Sequence, residues 1–164
     1  MNGNMKQQLL ELAKKYAYQK KKVILASGRE SDFYIDVRKI SLMSEGAYLI
    51  ANGMWEQLKG MEFDAVGGPT LGADPILSAL GYHAHVQGEA LNLFIVRKEA
   101  KEHGTKRVYE GPELAEGARV VLVDDVATTG GSVIKAYEQL KPLGIRPVAA
   151  FVVVDREEGA KENF

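Results

Sequence analysis

The stretch VVLVDDVATTGGS, residues 120–132, carries four aliphatic residues straight into two adjacent aspartates and then into a turn with three hydroxyls and two glycines. An apolar run with no polar alternation describes a strand buried on both faces, which occurs in parallel sheets covered by helices. A second such run, VAAFVVV at 148–154, follows one helix-length later. The two runs predict an α/β chain with a central, mostly parallel sheet flanked by helices.

The rest of the chain fits that frame. Leu9, Leu10, Leu12, Ala13, Tyr16 and Ala17 recur at helical spacing within residues 4–20, and the basic cluster Lys20-Lys21-Lys22 that follows reads as a solvated face. VILASGRESDFYIDVRKISL, residues 23–42, reads as two short strands flanking a polar bend. Ser44 is placed to cap a helix running to Gly60. Residues 64–69 read as a strand ending in glycines, ADPILSALGYH as the helix after it, and LNLFIVRK (91–98) as another strand. KEHGTKRVYEGPELAEGA has little periodicity, and a long irregular segment in a compact domain is commonly functional. A strand at 119–124, a helix at 131–141 ended by Pro142 and a strand over RPVAAFVVVDRE complete the order.

Length and composition narrow the classes. The 164 residues suit one domain, 1–164, and 46% hydrophobic with 26% charged residues is the balance of an ordinary globular chain. A net charge of -1 gives no general pull toward nucleic acid, so any anion site is local. Without cysteine there are no disulfides or thiolate metal sites. Charges interrupt the apolar residues of the N-terminal segment, unlike a signal peptide, and no apolar run reaches the roughly 20 residues that cross a bilayer. The expectation is a cytoplasmic protein with no membrane and no nucleic-acid partner.

In open parallel sheets ligands bind beyond the carboxyl ends of the strands, where Asp124 and Asp125 emerge. Neighbouring strand residues point to opposite faces, so the two acids need not share a task. Thr128, Thr129, Gly130, Gly131 and Ser132 lead into a helix N-terminus, whose free N–H groups and positive dipole end favour an anion. Acids accept from hydroxyls and the loop donates to phosphate, which suits a phosphorylated sugar diol. Neither a Walker-type G-x-x-x-x-G-K-[ST] nor a dinucleotide G-x-G-x-x-G accompanies the stretch. The plain alternative is a core strand followed by a helix capped by Thr129 or Ser132. His83 and His85 form a possible metal pair without a third ligand, for which packing is the simpler reading.

VVLVDDVATTGGS resembles the phosphoribosyl diphosphate (PRPP) signature of type I phosphoribosyltransferases. SGRESDFYIDVRK (27–39), RKEAKEHG (97–104) and VVDREEGA (153–160) resemble, in order and spacing, the orotate phosphoribosyltransferase family. The resemblance implies the type I fold with a small N-terminal hood, transfer of the phosphoribosyl group of PRPP to orotate with Mg²⁺, and a homodimer with shared active sites. It does not say which residues hold the metal.

Residue by residue, the resemblance sets Asp124 and Asp125 at the ribose hydroxyls, Thr128, Thr129, Gly130, Gly131 and Ser132 around the 5-phosphate, and Val126 and Ala127 with them in the PRPP site. Arg97, Lys98, Lys101 and His103 match a mobile catalytic loop that contacts pyrophosphate, with Lys101 and His103 joining the two aspartates as catalytic residues. Arg156 matches the residue that grips the orotate carboxylate. Ser27, Gly28, Phe33, Tyr34 and Thr128 match the rest of the base pocket. GGPTLGADP (67–75) resembles the pyrophosphate loop, with Thr70-Leu71-Gly72-Ala73 where some relatives carry a basic residue and Ala26 where some carry lysine. A transferase for another base and a non-catalytic PRPP-sensing regulator are the competing functions.

Overall fold

The structure is a computed structural model that describes residues 3–24, 28–99 and 107–164. In chain order, helix α1 (Gly3–Leu12) continues through one π-helical turn, Ala13–Ala17. Four two-residue strands follow, β1 (Tyr18–Gln19), β2 (Val23–Ile24), β3 (Glu30–Ser31) and β4 (Tyr34–Ile35). They pair antiparallel as β1 with β4 and β2 with β3, so β2 and β3 form the two strands expected around the bend, and β4 adds a second small ribbon with β1. This is the N-terminal hood.

Helices α2 (Arg38–Ser41) and α3 (Ser44–Leu58) lead to strand β5 (Ala65–Pro69), helix α4 (Ala73–Val86) and strand β6 (Leu93–Val96). Ser44 does not cap α3: Met43 holds the capping position in extended geometry, and no side chain bonds to the helix start. The two-residue strand β7 (Tyr109–Glu110), the long strand β8 (Arg119–Ala127), helix α5 (Gly131–Leu140), strand β9 (Arg146–Asp155) and the short helix α6 (Ala160–Asn163) complete the chain. α5 ends at Leu140, one residue short of the expected 141, and Pro142 lies in the 3₁₀ turn that follows, Lys141–Leu143, which ends at left-handed Gly144.

The main sheet has five strands in the order β7-β6-β5-β8-β9. β5 runs parallel to β6 and β8, and β8 parallel to β9; β7 is the antiparallel edge. Period-2 alternation divides the core. Val121 and Val123 pack with Ile50, Trp55, Ile76 and Leu80 on the side of α3 and α4, while Val120 and Leu122 pack with Val133, Ala136 and Leu140 of α5 on the other. A strand covered on both faces has no polar positions to spare until it leaves the core. That is why its first acids appear at the carboxyl end.

Candidate active site

β8 extends beyond the expected 119–124 and carries both acids into the sheet, because pairing with β9 continues from Asp124↔Val152 to Ala127↔Asp155. Asp124 is only 5% exposed, and its Oδ1 accepts the Asp125 N–H at 2.9 Å. Asp125 Oδ1 in turn accepts the Val126 N–H at 2.8 Å. Burial pushes Asp124 up to about 7, and the adjacent Asp125 charge adds to the rise. Burial also raises Asp125, against the opposing field of the Arg38 guanidinium. Arg38 lies across from the strand end, ion-paired to Asp36 at 2.9 Å, which holds its own pKa above the ordinary value.

Both acids abut the turn after β5. A Cβ on Gly72 would stand 2.6 Å from Asp125 Oδ1 and 2.7 Å from Asp124 Oδ1, so only a residue without a side chain lets the α4 start close on the pair. Within the turn the Thr70 hydroxyl donates to Asp74 Oδ2 at 2.9 Å, and the Thr70–Leu71 peptide is cis. Gly72 and Arg38 belong to motifs noticed in the sequence, but nothing local to them reveals the contact with Asp125.

Beyond β8 the backbone turns at Gly130, whose φ of 81° lies in the left-handed region, and enters α5 with no side chain capping the helix. Neither Thr129 nor Ser132 takes the capping role, so the first-turn N–H groups remain available to an anion. The loop is supported from the chain end. Asn163 Nδ2 donates to the Thr129 carbonyl at 3.0 Å, and the Phe164 ring covers Gly130 closely enough that a Cβ there would come within 2.6 Å of it.

The other wall comes from β9 and the hood. The Arg156 N–H donates to the Ala127 carbonyl at 2.9 Å, which fixes the residue beside the carboxyl end of β8. Its side chain is 3% exposed and reaches the hood, where Nη2 donates to Ser31 Oγ at 2.8 Å and the guanidinium lies 4.2 Å from the Phe33 ring centroid. Nε donates to Glu158 Oε1 at 2.8 Å. Phe33 also stacks on Tyr18, with ring centroids 5.8 Å apart. Tyr34 instead meets Lys21, whose Nζ is 4.7 Å from its ring. Gly28 sits in an exposed bend with φ of 81°. Ser31 and Glu158, two residues from Phe33 and Arg156 respectively, were not legible as site residues.

Arg97 leaves β6 with its side chain ion-paired to Glu110, and its N–H donates to the Val108 carbonyl at 2.9 Å, closing the base of the intervening segment. Lys98 is exposed. Ser27, Lys101 and His103, like Ala26, lie outside the described residues. His83 and His85 do not make the possible metal pair: both lie on α4, where residues two apart point to different sides. His83 packs edge-on to Trp55 at 6.2 Å. Among the described residues no three His, Asp or Glu side chains gather as a metal site, and no helix is long and apolar enough to cross a membrane.

A carboxylate pair at a strand end, an uncapped helix start beside it and a buried arginine one strand over lie together at the carboxyl end of the sheet. Residues 46–163 match the phosphoribosyl transferase domain family, and the chain belongs to that family, with the type I phosphoribosyltransferase fold. It is 44% identical to orotate phosphoribosyltransferase of Streptomyces coelicolor over 157 residues, 96% of this chain and 86% of that one. Against the Corynebacterium glutamicum enzyme of the same name it is 43% identical over 162 residues, 99% of this chain and 86% of that one. The crystal structure of Mycobacterium tuberculosis orotate phosphoribosyltransferase in complex with PRPP superposes with a TM-score of 0.77 at 34% identity, covering 97% of this chain and 88% of that one.

Proposed function

We infer that the chain is an orotate phosphoribosyltransferase, which joins orotate to the ribosyl phosphate of PRPP and yields orotidine 5'-phosphate and pyrophosphate in pyrimidine synthesis. The observation that carries this reading is the placement of Arg156. Its backbone bonds to Ala127 at the start of the phosphate loop, and its buried guanidinium turns toward the hood. A base whose carboxylate meets Arg156 therefore lies one strand away from a ribose held by Asp124 and Asp125.

The reaction is a displacement at the anomeric carbon: the bond to the pyrophosphate oxygen breaks and a bond to the orotate ring nitrogen forms, that nitrogen giving up its proton to water, through a cationic ribosyl-like transition state. No covalent help from the protein is required. Asp124 and Asp125 accept from the ribose hydroxyls, and residues 128–132 with the start of α5 donate to the 5-phosphate, so the sugar is fixed for in-line attack. Lys101 and His103, with Arg97 and Lys98 at the loop base, stabilise charge developing on pyrophosphate. Arg156 orients the base through its carboxylate.

Mg²⁺ fits this donor set. Magnesium binds through one or two carboxylates plus substrate phosphates and retains waters, so it does not need a protein cage. Asp124 and Asp125 each accept one backbone N–H through Oδ1. When bound, the ion would neutralise leaving-group charge. The working form is a homodimer in the cytoplasm, with each basic loop serving the neighbouring site.

The test is consumption of orotate with PRPP and Mg²⁺, run beside uracil, hypoxanthine and adenine. Formation of a nucleotide from orotate alone supports the reading. Turnover of another base in its place assigns a different transferase, and turnover of none assigns a binding protein.

A further inference from the structure

The guanidinium of Arg156 is held from three sides. Glu158 accepts from Nε at 2.8 Å, Ser31 Oγ accepts from Nη2 at 2.8 Å, and the Phe33 ring lies under the plane at 4.2 Å. Ser31 is itself oriented, because its hydroxyl donates to the Phe33 carbonyl at 2.9 Å, leaving a lone pair for the arginine. The result is a directional chain from guanidinium to hydroxyl to carbonyl, linking residues 125 positions apart in sequence. A guanidinium has five N–H donors. Among the described residues, Nη1 has no hydrogen-bond partner, so Nη1 and the second Nη2 hydrogen form the uncommitted edge of a side chain that is 3% exposed.

We propose that Ser31 and Glu158 are positioning residues that set the edge Arg156 presents and so select a planar carboxylate on the base. This rests on Arg156 being the partner of the orotate carboxylate. Phosphate groups of the second substrate bind one strand away, and a free, fully charged arginine would be drawn to them as readily as to the base. Glu158 offsets that charge and occupies Nε, while Ser31 stops rotation of the group. What remains is a two-donor edge whose spacing matches a carboxylate, so geometry rather than net charge decides what binds.

The test is steady-state kinetics of Ser31→Ala, Glu158→Ala and Glu158→Gln, with both substrates varied, Arg156→Ala as reference and the melting temperature of each variant measured. Ser31→Ala and Glu158→Ala are expected to raise the KM for orotate about tenfold, the worth of roughly one hydrogen bond to a charged group, and to leave the KM for PRPP unchanged. Glu158→Gln keeps an acceptor for Nε and is expected to restore most of the loss. If Glu158→Ala fails to fold, Ser31→Ala and Glu158→Gln carry the comparison. A KM for orotate that falls in both Glu158 variants makes Glu158 a competitor of the substrate and overturns the proposal. So does an unchanged KM in the Ser31 and Glu158 variants when Arg156→Ala is impaired. An Arg156→Ala enzyme with normal use of orotate would overturn the base assignment itself, and the positioning role with it.

Discussion

A Cβ on Gly72 would stand 2.6 Å from Asp125 Oδ1, and that oxygen cannot simply swing aside, because it accepts the Val126 N–H at 2.8 Å. Asp124 Oδ1, 2.7 Å from the same point, is likewise tied to the Asp125 N–H. Gly72 itself has ordinary helical φ and ψ of -62° and -42°, so substitution there acts through contact and not through backbone strain. Gly72→Ala is expected to displace both carboxylates and raise the KM for PRPP about tenfold or more, equivalent to at least one lost hydrogen bond to a charged group. Titration of PRPP binding with circular dichroism as the folding control measures this. Normal PRPP binding by a folded Gly72→Ala protein would separate the acids from the sugar site.

The burial of Asp124 gives a pH dependence with a defined sign. Its pKa stands at about 7 in the folded chain against an ordinary 3.8, so the folded state holds a proton that the unfolded state has released between these values. The contribution of Asp124 to the stability of the ligand-free protein is therefore greatest below the lower value and declines as pH rises toward about 7. Asp124→Asn should flatten this slope and stabilise the ligand-free protein above neutral pH by about 1–3 kcal/mol, the scale of a buried unsatisfied group. Thermal melts across pH show it. For turnover the sense reverses: only the ionised acid accepts from ribose hydroxyls without restriction, so kcat/KM for PRPP should climb through about pH 7 and the inflection should vanish in Asp124→Asn.

Metal removal tests the part of the mechanism that the carboxylates alone cannot supply. Treatment with EDTA is expected to abolish turnover, and added Mg²⁺ to restore it. Full activity in metal-free buffer would leave charge neutralisation to the basic segment alone.

Loop sharing between subunits has its own test. Lys101→Ala and Asp125→Asn chains, each inactive alone, are unfolded and refolded together. If the loop acts on the neighbouring site, random pairing makes half the dimers mixed and restores roughly a quarter of all sites. Activity that stays at the level of the separate mutants, with subunit exchange confirmed, would place the loop on its own chain.

Much of the fold was legible because its signals are local. β8 and β9 announce themselves as uninterrupted aliphatic runs, α4 follows the glycine turn after β5, and the uncapped start of α5 lies in the small-residue loop. What was not legible depends on distance along the chain. β7 has only Tyr109 and Glu110, too short for alternation to register, and exists because β6 leaves an edge to pair with. The hood strands each have two residues and are defined by partners up to 17 positions away, as Tyr18 is by Ile35. Asp125 lay in plain view, yet its neighbours Gly72 and Arg38 come from two other parts of the chain. Ser31 and Glu158 lie inside sequence motifs, but nothing local marks them as partners of an arginine, and only the meeting of β9 with the hood gives them one to hold.

The central claim is that the base is chosen by the carboxylate partner at the end of β9, and the most direct measurement is the ratio of kcat/KM for orotate to that for uracil, which lacks the carboxylate, in the wild-type and Arg156→Ala enzymes. The wild type should favour orotate strongly. Removal of Arg156 should cost about 2–5 kcal/mol with orotate, the usual loss when one member of a desolvated charge pair is truncated, and far less with uracil, so the ratio collapses. A ratio that survives the substitution in a folded enzyme would contradict the account.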